Sequence, residues 1–196
     1  MDGIPARTAD HGTLWLTGLP GAGKTTLALA VEQKLRSAGC STLVLDGDEL
    51  RRDLGGELGY TRRDRGEQAR RAAHAAARAA STGAVAIVAL ISPYAEDRRR
   101  ARALHDEIGL PFFEVWVHTP LSVCEQRDPK GLYAQARSGR LDGLTGLDAP
   151  YETPLSPDLR VPGYGQHPDA GAQRLVGLLT ADRGLVVLWQ VAGRVM

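Results

Sequence analysis

Gly18, Gly23, Lys24 and Thr25 stand at the spacing G-x-x-x-x-G-K-T, the pattern of a backbone loop that wraps phosphate. Its glycines let the chain turn tightly and bring N–H groups up to anionic oxygens. Lys24 reaches the outer phosphates, and the Thr25 hydroxyl is suited to hold Mg²⁺. Asp46 and Asp48 follow an apolar stretch, and either can hold metal-bound water or accept a proton from an acceptor hydroxyl. Arg51, Arg65 and Arg70 carry guanidinium groups that suit a phosphate or sulfate. In so arginine-rich a chain, any single arginine reads first as a solvated charge. Arg62, Arg63, Arg78 and the run Arg98-Arg99-Arg100 are read that way. Lysine is scarce, with only Lys24, Lys34 and Lys130 among 24 Lys+Arg. An ammonium and a guanidinium are not interchangeable, so Lys130, in Asp128-Pro129-Lys130-Gly131, reads as a lid residue closing over phosphates. His74, His105, His118 and His167 have no partner at ligand spacing and read as surface or packing residues.

Regular elements must bring these residues together. Thr13–Thr17 reads as a buried strand entering the phosphate loop. Thr26–Arg36, with Leu27, Ala30, Val31 and Leu35 at helical spacing, reads as the helix leaving it, whose N-terminal end adds positive potential to the site. Gly39 stops that helix. Thr42–Asp46 is a second strand, and Gly55, Gly56 and Gly59 make a loop. Thr61-x-x-Asp64 resembles a capping box opening a helix to about Ala80, with Ala69, Ala72, Ala73, Ala76 and Ala80 on one face. Ala84–Leu90 reads as a buried parallel strand, Ala95–Glu107 as a charged helix, and Phe112–Val117 as another strand. Pro120 opens a short helix through Gln126. Residues 127–157 form a long loop with a short helix at Leu132–Arg137, and such loops are usually functional. Asp169–Leu179 reads as a closing helix, and Leu185–Val191 as a last strand or an interface segment. Strands alternating with helices predict a parallel sheet covered on both faces, with the candidate loops converging at its strand ends.

Composition sets the bounds. At 196 residues, 43% hydrophobic and 24% charged, the chain is an ordinary globular protein with one full core. A formal net charge of +1 does not argue for nucleic acid. Cys40 and Cys124 form no redox or metal pair by spacing, which suits a reducing cytoplasm. No signal-peptide region and no membrane-length apolar run is seen. Residues 1–11 read as a flexible arm, and 12–196 as a single domain with a lid at about 127–157.

Assembled, these motifs resemble the adenylylsulfate kinases (APS kinases) along nearly all of residues 13–180. The resemblance rests on Gly18–Thr25, Leu45–Arg51, Leu58–Arg65, Ile91–Tyr94 with Asp97-Arg98, and Glu114–Val117. Two stretches are far more specific, Cys124–Tyr133 and Thr145–Glu152. It implies an α/β P-loop NTPase three-layer sandwich, mostly parallel, with helices on both faces. It implies a cytoplasmic homodimer that binds neither nucleic acid nor membrane and serves sulfate assimilation. The implied reaction moves the γ-phosphoryl group of MgATP to the 3′-hydroxyl of adenylyl sulfate. By motif, Gly18, Gly21, Ala22, Gly23, Lys24, Thr25, Thr26 and Arg127 would bind ATP, with Thr25 and Asp46 at Mg²⁺. Lys24, Asp46, Asp48 and Lys130 would serve catalysis. Arg51 and Arg65 would grip the phosphosulfate and Tyr60 would stack on the acceptor adenine. Asp48, Gln68, Ile91, Ser92, Lys130 and Leu144 would complete the acceptor site. Three departures stand out. Gln68 replaces the family's asparagine contact with the acceptor. Leu144 replaces a phenylalanine, half of an aromatic clamp. The apolar end, Leu185–Met196, extends past the usual stop. The rival readings are a kinase of this fold retuned to another hydroxyl acceptor, and a nucleotide-binding subunit without turnover.

Overall fold

Apolar residues run almost unbroken through the strands because the sheet is buried on both faces. The computed structural model describes residues 11–53 and 58–181. The strands are β1 (Gly12–Thr17), β2 (Thr42–Asp46), β3 (Val85–Ala89), β4 (Phe112–His118) and β5 (Leu159–Pro162). They form one sheet in the order β2-β3-β1-β4-β5, and every pairing is parallel. Successive side chains alternate between two cores. Leu14 and Leu16 of β1 join Ile87 and Val115 in one, and Trp15 joins Val88 and Phe112 in the other.

Helices α1 (Lys24–Ser37) and α7 (Pro168–Ala181) pack together over the first core, while α3 (Arg62–Ser81) and α4 (Ala95–Glu107) pack over the second. This is the expected doubly covered parallel sandwich. The capping box also forms: Thr61 Oγ1 accepts from the Asp64 N–H at 3.2 Å, and the Asp64 carboxylate accepts from the Thr61 N–H. The buried face of α3 carries Ala69, Ala72, Ala73, Ala76, Ala77 and Ala80, small enough to lie close on the sheet. The same face starts with Arg65 and Gln68, also buried, which lie near the strand ends rather than over the sheet.

The remaining helices α2 (Gly47–Asp53), α5 (Leu121–Arg127) and α6 (Leu132–Arg137) are short. Strand β5 was not foreseen. Its four residues Leu-Arg-Val-Pro are too few and too mixed to show a period of two. Arg98 corrects the sequence reading: it is 3% exposed, not a solvated charge, and pairs with Glu114 on β4. Arg62 is exposed but paired with Asp97 and Glu96. His105 is a packing residue, fully buried. Its Nδ1 lies 2.8 Å from the Ala101 carbonyl, which only accepts, so Nδ1 carries the proton and Nε2 accepts from Thr13 Oγ1 at 2.9 Å. Burial lowers its pKa and keeps the ring neutral. Residues 1–10 of the expected arm, Gly55 and Gly56, and the segments Leu185–Val191 and Leu185–Met196 lie outside the described residues. Among the described residues no helix is long and apolar enough to cross a membrane.

Candidate active site

Parallel strands aligned in register end together. Gly18 follows β1, Asp46 ends β2, Ile91 lies just beyond β3, and Gly163 follows β5. A cavity of about 1060 Å³ opens there. Ligand pockets span roughly 300–1,000 Å³, so this one stands at the upper end of that range.

Backbone builds one end of it. Gly21 and Gly23 have φ of +72° and +99°, a region that side chains resist, so the chain coils tightly into α1. Gly163 comes so close beneath that an added Cβ would stand 2.0 Å from the Ala22 carbonyl oxygen and 2.4 Å from Thr119 Oγ1. Lys24 is 8% exposed, and its ammonium donates to the carbonyls of Gly18 (2.9 Å) and Leu19 (2.8 Å). Burial lowers its pKa to about 8, against the smaller upward pulls of Cys124 and Asp46. Thr25 Oγ1 donates to Asp46 Oδ2 at 2.7 Å, and Asp46 Oδ1 accepts from the Asp48 N–H at 2.9 Å. Arg127 reaches the Gly21 carbonyl at 3.4 Å.

Long side chains build the opposite end. Arg51 donates to the Leu58 and Gly59 carbonyls and to Gln68 Oε1 at 2.7 Å. Gln68 Nε2 donates to the Gly47 carbonyl at 2.6 Å. Arg65 donates to the carbonyls of Tyr60 (3.0 Å) and Gly143 (2.9 Å). The Tyr60 ring lies 4.7 Å from the Arg51 guanidinium carbon and 5.7 Å from that of Arg65. Burial lowers the pKa of both arginines, and Arg51 lowers that of Arg65 further. Two partly desolvated cations sharing one ring favour an anion between or beside them. Lys130 forms a salt bridge with Asp48 across the opening.

The family model for adenylylsulphate kinase matches residues 10–162. The adenylyl-sulfate kinase of Geotalea daltonii is 47% identical over 173 residues, covering 88% of this chain and 84% of its own length. The chain belongs to the adenylylsulphate kinase family. It is also 48% identical over 170 residues to the bifunctional enzyme CysN/CysC of Mycobacterium tuberculosis, covering 87% of this chain but spanning only 28% of that protein. The solved structure of the M. tuberculosis APS kinase CysC in complex with AMPPNP and APS is similar to it at a TM-score of 0.84 and 47% identity, over 87% of this chain and 98% of that one.

In this member of the adenylylsulphate kinase family, the cavity brings together Gly21, Gly23, Lys24, Thr25, Thr26, Asp46, Asp48, Arg51, Tyr60, Arg65, Gln68, Ile91, Arg127, Lys130 and Leu144. Gly18, Ala22 and Ser92 do not line it. Gly18 and Ala22 shape the loop from behind: an added Cβ on Gly18 would stand 2.5 Å from the Val117 carbonyl oxygen. Ser92 is buried with its hydroxyl unpartnered. Leu144 is 4% exposed and packs in the first core. Both ends of the Gln68 amide are held by Arg51 and Gly47. Sequence reasoning missed Pro162, Gly163, Gln166 and Pro168, which line the cavity at the β5–α7 turn. It also missed Tyr133, whose hydroxyl donates to the Pro20 carbonyl at 2.9 Å. Only Gly163 carried a signal, as one glycine of a turn-rich stretch.

Proposed function

We propose that the chain transfers the γ-phosphoryl group of MgATP to the 3′-hydroxyl of adenylyl sulfate, giving ADP and 3′-phosphoadenylyl sulfate. The observation that carries this is the two-ended cavity. A backbone phosphate cradle faces a pair of guanidiniums beside an exposed aromatic ring, with Asp46 and Asp48 between them. Such an arrangement positions a donor phosphate and an acceptor bearing both an anion and a flat base. The likeness to the M. tuberculosis protein bound to AMPPNP and APS supports the same pair of ligands here.

In this reading, the loop N–H groups of Gly21 to Thr26 and the Lys24 ammonium bind the ATP phosphates, and Arg127 covers them. Mg²⁺ would be held by Thr25 and Asp46, and it supplies neutralisation of phosphate charge. One hydroxyl beside one carboxylate suits this ion, which prefers few protein ligands together with waters and substrate phosphates. Among the described residues no group of three or more His, Cys, Asp or Glu forms a cage. Arg51 and Arg65 grip the phosphosulfate, and Tyr60 stacks on the acceptor adenine. Asp48 accepts the proton of the attacking hydroxyl, and freeing it for that role requires Lys130 to swing from Asp48 onto the phosphates. The moving lid is therefore the stretch around Asp128–Gly131. The wider 127–157 segment is pinned by Tyr133 on Pro20, by Arg65 on Gly143 and by Tyr151 on Thr17. The protein works in the cytoplasm, as a homodimer.

The test is a coupled assay of ADP release from MgATP, with adenylyl sulfate compared against other nucleotides and simple alcohols. Turnover specific to adenylyl sulfate, lost by at least about 10³-fold in a folded Lys24→Ala variant, is expected. Turnover of another acceptor and none of adenylyl sulfate would overturn the reading in favour of a retuned kinase.

A further inference from the structure

We infer that Arg98 is a positioning residue for the acceptor: its buried guanidinium clamps Ser92 in a left-handed backbone conformation and thereby aims Ile91 into the cavity. The inference rests on the reading of Ile91 as part of the acceptor wall.

Ser92 has φ of +42°. Among the described residues only Asp128 shares a positive φ without being glycine. Asparagine and aspartate tolerate this region because their side chains bond locally, but the Ser92 hydroxyl is buried and bonds to nothing. The conformation is therefore held from outside, through the Ser92 carbonyl. That oxygen accepts from Arg98 at 2.8 Å, while the Thr17 hydroxyl, 3.3 Å away, sits closer to the Ile91 carbonyl at 2.7 Å and has only one proton to give.

Arg98 ties Ser92 to two other segments. Its Nε donates to Glu114 Oε1 at 2.6 Å, one terminal nitrogen to Ser92, and the other to the Glu152 carbonyl at 2.7 Å. All three nitrogens are spent, on three separate segments. Glu152 is anchored in turn, its carboxylate accepting from the Ala95 N–H at the start of α4 at 2.7 Å. One residue upstream, the Ile91 carbonyl accepts from Thr17 Oγ1 at 2.7 Å and from the Gly18 N–H at 3.4 Å. The stretch that Arg98 fixes thus joins the first glycine of the phosphate loop to the wall presented by Ile91. An ammonium also has three N–H donors, but they radiate from one nitrogen, so lysine cannot span three acceptors spaced to meet the separate nitrogens of a planar fork.

Arg98→Lys keeps the charge opposite Glu114 and removes the fork. The expected result is a rise of about tenfold in the KM for adenylyl sulfate, with the KM for ATP changed less than about twofold. Ser92→Gly added to Arg98→Lys should restore the acceptor KM to within about threefold of wild type, because glycine takes positive φ freely. If the two KM values move together, or if Ser92→Gly restores nothing, Arg98 only supports the fold and the inference is overturned. Should Arg98→Lys not fold, Glu114→Gln loosens the same clamp while keeping an accepting oxygen, and the same split and rescue decide the matter. A wild type that does not turn over adenylyl sulfate removes the proposed activity, and this inference falls with it before any variant is made.

Discussion

The two ends of the cavity are made of different material. The phosphate-loop end is backbone in contact with backbone: Gly163 against Ala22, Gly18 against Val117, and a buried Lys24 bonded to two carbonyls. The guanidinium end is side chain bonded to side chain or to loop backbone: Arg51 to Gln68, Arg65 to Gly143, Lys130 to Asp48. Tyr60 stands 49% exposed among them. A backbone cradle admits almost no substitution, and it recognises phosphate whatever that phosphate is attached to. A side-chain network can be rebuilt by a few substitutions, so a change of acceptor would need less rebuilding there than a change of donor would need in the cradle. Gln68 belongs to this adaptable end through its bonds to Arg51 and the Gly47 carbonyl.

Gly163→Ala tests the rigid end and should have the largest effect. The new methyl would meet the Ala22 carbonyl oxygen and Thr119 Oγ1, neither of which is the free end of a flexible chain. Overpacking of this kind costs up to about 3 kcal/mol, which for a chain of this length lowers Tm by roughly 6–12 °C. Because the Ala22 carbonyl belongs to the phosphate loop, the ATP KM should rise at least about tenfold in the surviving fold. A variant with wild-type Tm and ATP KM would mean that this end yields as readily as the other.

The adaptable end is tested by a double-mutant cycle between Gln68 and Arg51. The Gln68 amide is occupied by Arg51 and the Gly47 carbonyl, so it should act on the acceptor through Arg51. Gln68→Met removes both of these bonds and should weaken adenylyl sulfate binding to the ADP-bound protein by about 1.5 kcal/mol, the lower end for a hydrogen bond to a charged group. Added to Arg51→Ala, the same change should cost almost nothing further. Additive losses would show Gln68 touching the acceptor directly and the network to be less connected than its hydrogen bonds imply.

The same contrast explains what could be read from the chain. Backbone cradles need glycine at fixed spacing, so Gly18–Thr25 announced itself. The strands and helices that present it were legible through continuous apolar runs, the Thr61–Asp64 cap and the alanine face of α3. Side-chain networks impose no spacing. Arg98 sits in a run of three arginines, and nothing local separates the one that is buried from its solvated neighbours. Only the helical phase it shares with Ala101 and His105 pointed inward. Strand β5 is held in place by pairing with β4 and by its turn against the phosphate loop, contacts that four residues cannot encode alone. Leu144 could be matched to a family position from sequence, but its burial in the first core depends on the whole fold.

The smallest effect is a proton count, and it asks how the rigid end holds its buried ammonium. Burial disfavours the Lys24 ammonium and pushes its pKa down to about 8, from 10.5 for an ordinary lysine. Between those two values the unfolded chain holds a proton that the nucleotide-free fold lacks. Its contribution to stability therefore rises with pH across that window and is least favourable below pH 8. Polyphosphate beside Lys24 favours the charged form and lifts its pKa back. MgATP binding should accordingly take up about 0.9 proton at pH 9 but only about 0.1 at pH 7, with affinity falling by up to about tenfold per pH unit above 8. Calorimetric titration at both pH values, in two buffers of different ionisation enthalpy, counts the protons directly. Equal uptake at pH 7 and 9 would mean that nucleotide does not change how tightly Lys24 holds its proton. Lys24 would then be a structural part of the cradle and no longer the charge that phosphate completes.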